Sequence, residues 1–252
     1  MAAMPVPPAP DAAGSVPLSQ AARIIDTFIA PTKAFTDLRR NASWWAPFLI
    51  IAIVSFLFIN VVDKKVGFRK VVENQIALQP KQAERIDNLP ADQREKIMGQ
   101  QTTVTKAISY AVPVIALLVY AIFAGVLFGT LKFTAGADIK FGTLFALVVY
   151  TRLPELLRAA LSSLSLLAGV SADAFDIQNP VATNFGYFID PSSAVLKALL
   201  TPIDVITIWT LALLAIGIPC IGKVKRGTAF AVVFGWFAVV VLVKVGFALA
   251  TS

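Results

Sequence analysis

Five apolar runs dominate the chain, at residues 44–62, 108–131, 141–168, 203–221 and 228–250. The first two carry no charge, the fourth only Asp204 and the fifth only Lys244; the third is interrupted by Arg152, Glu155 and Arg158. A helix rises about 1.5 Å per residue, so a run of 19 residues reaches about 28 Å, close to the hydrocarbon thickness of a bilayer. Within lipid only helices and closed barrels satisfy the backbone, and continuous apolar runs lack the alternation of a barrel strand. The pattern predicts an all-α polytopic membrane protein, a bundle of five transmembrane helices over residues 44–252. Trp44 and Trp45 stand where an interfacial aromatic anchor belongs.

The segments between the runs read differently. Residues 1–17 are rich in Pro and Ala with no apolar period, the composition of a disordered tail, and they lack the pattern of a cleaved secretory signal. Over residues 18–43, Ile24, Ile25, Phe28 and Ile29 recur at helical spacing among Arg23 and Asp26. Pro31 then suits the first position of a second short helix. Segments too short to span are expected to lie on the membrane surface as interfacial amphipathic helices. Residues 63–107 form the one long polar loop, punctuated by Pro80 and Pro90. It predicts two or three solvated helices, the last running from about Pro90 into the second span.

Charge and composition narrow the chemistry. Charged residues make up 15% of the chain, against roughly 25% in a soluble domain. The net charge of +7 raises nucleic acid as a partner, but acids interleave with the bases and no basic block exists, so no nucleic acid is expected. Without any His, Ser-His hydrolysis and His-containing zinc or haem sites are excluded. One Cys excludes an internal disulfide. Rhomboid-type proteolysis lacks its His, intramembrane aspartyl proteolysis lacks a second aspartate in a span, and no phosphate-binding loop occurs. No enzyme activity, cofactor or metal is therefore expected.

Lys and Arg divide evenly over the two sides, nine in the 63–107 loop and nine over the opposite segments. The short loops decide. Residues 222–227 carry three basic residues and 169–194 none, which favours a cytoplasmic N-terminus, although Lys64, Lys65, Arg69 and Lys70 directly after the first span pull the other way.

Three groups of residues invite a functional reading. Arg152, Glu155 and Arg158 are spaced so that Glu155 can pair with either arginine on one helix face. They form either an intramembrane polar patch, serving an ion path, a headgroup or a partner helix, or a charged kink where Pro154 breaks the span. Ala121, Gly125 and Gly129 fall four apart in the second span, a ridge that permits close helix packing within the chain or between chains. On this basis Gly125→Leu is expected to harm packing more than Ala124→Leu. Thr201, Pro202 and Asp204 read as a helix cap, with the hydroxyl at the N-cap, proline at the first position and the carboxylate at the third. Asp204 would then lie at the water boundary, and Asp204→Asn would cost only about 0.3–1 kcal/mol through the helix dipole.

Several stretches together resemble the Yip (Ypt-interacting protein) domain family in its bacterial branch. They are Arg23 to Phe35 (RIIDTFIAPTKAF), Phe141 to Leu157 (FGTLFALVVYTRLPELL) with its Tyr150-x-x-Leu153-Pro154 break, Ile203 to Gly217 (IDVITIWTLALLAIG), and Lys225-Arg226-Gly227 leading to Trp236. The resemblance implies an integral membrane protein, of the bacterial cytoplasmic membrane here, with a cytosolic N-terminus and an odd number of spans. Eukaryotic members bind Rab-type GTPases in vesicle traffic; this chain shows no prenyl-binding motif that would carry the role over. The expected function is a non-enzymatic scaffold or membrane-organising module. It would act in the lipid bilayer through a membrane-protein partner or self-association. The alternative is a small transporter or channel subunit with a polar path near Arg152, Glu155 and Arg158.

Overall fold

The computed structural model describes residues 16–189 and 193–251, so most of the proline-rich tail lies outside the described residues. Eleven α-helices are present among them, and no strand: α1 (Gln20–Ile29), α2 (Pro31–Asp37), α3 (Trp45–Lys65), α4 (Phe68–Ala77), α5 (Pro80–Asp87), α6 (Ala91–Ala135), α7 (Phe141–Thr151), α8 (Glu155–Leu167), α9 (Ala194–Leu200), α10 (Val205–Ile221) and α11 (Arg226–Thr251). The protein is an all-α polytopic membrane protein. Three helices, α3, α6 and α11, are long and apolar enough to cross a bilayer, and α10 is a shorter apolar helix of 17 residues.

The run at 141–168 is two helices. α7 ends at Thr151 and α8 begins at Glu155, with Arg152-Leu153-Pro154 between them. The proline ring cannot donate to the helical ladder, and the chain turns through i→i+3 bonds, Glu155 N–H to the Arg152 carbonyl among them. α7 lies at the centre of the bundle and is buried from Thr143 to Thr151. Continuous apolar sequence is what a helix covered on every side requires.

α6 explains the polar loop. Its 45 residues span about 68 Å, more than twice a hydrocarbon core, so its first half stands clear of the apolar layer with α4 packed beside it and α5 against α4. The helix ends at Gly136 in the left-handed conformation (φ 57°), a backbone state that costs glycine nothing.

Loop contacts sort the ends of the bundle. Asn74 on α4 donates to the carbonyls of Ala172 and Phe175 at 2.7 and 2.9 Å, and Lys70 pairs with Asp173, so the loops at 63–107 and 168–204 meet at one end. At the other end Ile139 packs against Gly222, and Phe35 of α2 against Gly217 and Leu147. A Cβ at Gly217 would collide with both Leu147 and Phe35, which fixes glycine where α2, α7 and α10 converge.

The first two helices are more deeply engaged than surface helices need be. Ser19 caps α1 by accepting from the Ala22 N–H at 3.1 Å, and Pro31 opens α2. Their hairpin packs along α10 and α7 with Phe35 and Leu38 fully buried, while Ile25 and Ile29 stay exposed.

Packing in the second span departs from expectation. Ala124, Leu127 and Leu131 face the core, whereas a Cβ at Gly125 or Gly129 would meet nothing within 4 Å. Gly125 and Gly129 therefore pack against no other described part of the chain, and of the ridge only Ala121 touches the core, because the three-and-four spacing of the larger apolar residues, rotated about 100° away, turns that face inward. The order of the two substitutions is reversed. Ala124→Leu should cost about 1–3 kcal/mol by overpacking, and Gly125→Leu less than about 0.5 kcal/mol, read as thermal stability in detergent.

Candidate functional site

Three arginines within the apolar part of the molecule differ in what neutralises them. The first joins α8 to the start of α10. Arg158 donates to Glu155 at 2.8 Å and to Asp204 at 2.6 Å, and reaches the Thr207 hydroxyl at 3.1 Å. Asp204 is buried, and each of its oxygens is engaged. One accepts from Arg158 and from the Thr207 N–H at 2.9 Å; the other accepts from the Thr183 hydroxyl, with the Asn184 amide at 3.5 Å.

This geometry corrects the expected cap. Asp204 itself is the N-cap of α10, and Thr201 closes α9, its N–H bonded to the Lys197 carbonyl at 2.9 Å. The helix cannot begin at Pro202 because Asp204 is extended (φ −115°, ψ 137°). There it pairs across a single bridge with Asn184, and the Val205 N–H donates to the Thr183 carbonyl at 3.1 Å. Nor does Asp204 sit at an open water boundary, since the 183–184 loop covers it.

The second position was not singled out from the sequence. Arg23 and Asp37, with side chains 2% and 8% exposed, pair at 2.6 Å across the α1–α2 hairpin. Arg23 also donates to the Asn41 carbonyl at 3.1 Å and lies over the Tyr150 ring, whose hydroxyl donates to Gln20 at 2.9 Å. Asp26, mostly buried, is held by Lys33 at 2.8 Å. A signal was present: arginine and aspartate within an apolar period, on two short helices folded back at Ala30-Pro31, must meet each other or water.

The third is Arg152. Glu155 turns to Arg158 and leaves Arg152 with no ion pair among the described residues. Its guanidinium carbon lies 5.3 Å from the centroid of the Tyr120 ring and 5.5 Å from that of Phe123, both on α6, and its buried Nε has no hydrogen-bond partner. An isolated arginine at the centre of a span costs about 2.5–3.5 kcal/mol on insertion scales. Ring contacts return only about 0.5–2 kcal/mol.

Outside the membrane the charges are ordinary surface pairs. Arg69 forks onto Glu95 at 2.7 and 2.8 Å and its hydrogen bonds hold that carboxyl below the usual range; Lys70 does the same to Asp173. Between α4, α5 and α6 lies a groove of about 260 Å³ edged by Gln75, Gln79, Gln82 and Gln100, with no titratable group in its lining. Among the described residues no cluster of three or more metal-ligating side chains occurs.

Residues 25–247 match the family model of the Yip1 domain. The chain belongs to the Yip1 domain family. It is also similar to membrane protein YknW of Bacillus subtilis (strain 168), 23% identical over 216 residues, or 84% of this chain and 81% of that protein. No solved structure matches the chain. The Yip1 match begins inside α1 and ends inside α11, so the buried Asp37 and Asp204 and the partly buried Arg152, Glu155 and Arg158 all lie within it, while Arg23 lies just before it.

Proposed function

We propose that this Yip1-domain protein is a non-enzymatic scaffold or membrane-organising module of the bacterial cytoplasmic membrane. Its N-terminus is cytosolic, and it works through helix and surface contacts with a membrane partner or a second copy. The observation carrying this reading is the state of the membrane charges. Arg158, Glu155 and Asp204 satisfy one another together with Thr183 and Thr207, which is how a structural tie is built and leaves neither of these two carboxylates unpaired. The centre of the bundle is filled by α7, whose buried face contributes Leu144, Leu147 and Val148.

A transporter would need its polar residues on several helices around a wet path. Purified protein in liposomes tests the choice. Ion and solute flux should stay at the level of empty vesicles; flux that Glu155→Gln abolishes would overturn the scaffold reading.

A further inference from the structure

We propose that Arg152 is the docking point for a carboxylate carried on a transmembrane helix of a partner protein. This deepens the scaffold reading and rests on it. The argument begins with depth. Arg152 lies 11 residues beyond the start of α7 at Phe141, about 16 Å along the helix. Tyr120, which it overlies, is 12 residues short of Lys132 at one end of the span and 10 beyond Tyr110 at the other. Tyr110 marks that other end because its hydroxyl reaches Asp63 in the polar loop. Both measures set the guanidinium near the middle of a hydrocarbon layer about 30 Å thick.

At that depth a cation needs an anion, and the nearest acids among the described residues are spent. Glu155 and Asp204 are both engaged by Arg158, and Asp37 by Arg23. What remains at Arg152 is a planar fork held between two rings, with a buried N–H lacking an acceptor and the side chain only partly covered. Such a fork matches a carboxylate in two parallel hydrogen bonds, and low dielectric strengthens the pairing. A lipid phosphate remains with the headgroups, roughly half a bilayer away. An anion carried to mid-depth on a helix reaches the site without leaving its own apolar surroundings. On the adjoining helices Val119, Ile122 and Leu157 are exposed, an apolar surface on which that helix can lie.

The probe is a leucine-based transmembrane peptide with one central Glu, compared with the same peptide carrying Leu there. Binding to the full-length protein in phosphatidylcholine vesicles is read by energy transfer between dyes on the two partners. The Glu peptide should bind at least about tenfold tighter than the Leu peptide. Arg152→Gln should erase that preference, and Arg152→Lys, which keeps charge without the fork, should retain part of it. Helicity and monodispersity establish that each variant folds. If Arg152→Gln does not, the comparison of the two peptides on the wild-type protein, with Arg152→Lys, still decides. Equal binding of both peptides overturns the proposal, as does a preference that survives Arg152→Gln. Loss of the preference when phosphatidylglycerol replaces phosphatidylcholine would identify a headgroup as the occupant and overturn it too. None of these failures bears on flux, so the scaffold reading would still stand or fall by the liposome assay.

Discussion

Asp204→Leu is expected to lower stability by about 3–5 kcal/mol, because it strands a partly buried guanidinium. Arg158 would keep Glu155 and the Thr207 hydroxyl but lose its bond to Asp204, the Thr183 hydroxyl and the Thr207 N–H would lose their acceptor, and α10 would lose its cap. Asp204→Asn keeps an acceptor for the Thr207 N–H but gives up the charge that Arg158 faces. Its cost should be about 1.5–3 kcal/mol, the range of a hydrogen bond to a charged group, above the fraction of a kcal/mol that the helix dipole alone would give. The double substitution Asp204→Leu with Arg158→Leu should recover much of the loss, since replacing a buried pair by apolar groups is often close to neutral. Thermal unfolding in one detergent checks all three. An Asn variant within about 0.5 kcal/mol of wild type would show that the carboxylate acts only as a cap.

What the sequence revealed and what it concealed follow one physical division. Apolar runs report the solvent, and lipid as a solvent leaves almost no alternative to helices; the all-α membrane architecture is legible for that reason. Pro154 announced the break between α7 and α8, because proline acts locally. Pairings between distant segments have no local signature. Nothing around Asp204 indicates that Thr183 and Asn184, about 20 residues earlier, would hold it extended and delay the start of α10. The ridge at Ala121, Gly125 and Gly129 shows the same division, since its two glycines face away from the rest of the described chain and leave the between-chain alternative open. Spacing of small residues says that a helix can be approached closely, not which helix approaches, and the core of this chain claimed the Ala124 face. Glu155 could reach either arginine by spacing alone. Asp204 settled the choice by drawing Arg158 into a three-membered network.

The α1–α2 hairpin should be released by a single substitution without unfolding the bundle. Arg23→Leu leaves Asp37 buried with only the Leu18 N–H, at 3.4 Å, among the described residues, and a carboxylate abandoned in that way costs about 3–5 kcal/mol. That energy need not be drawn from the whole molecule. The hairpin is terminal, its buried apolar contribution rests mainly on Ala34, Phe35 and Leu38, and undocking returns Asp37 to water at once. Cheap local opening therefore competes with global unfolding and should win. Hydrogen exchange should rise sharply over residues 20–38 while α3 and α10 keep their protection, and limited proteolysis should acquire a new cut near Ala30-Pro31. Arg23→Lys should open less, keeping one ionic contact but losing the fork on Asp37 and the bond to the Asn41 carbonyl. Arg23→Leu combined with Asp37→Leu should close the hairpin again, since no buried charge is left without a partner. Unchanged exchange over residues 20–38 in Arg23→Leu would mean that Phe35, seated against Gly217 and Leu147, holds α2 in place by packing alone.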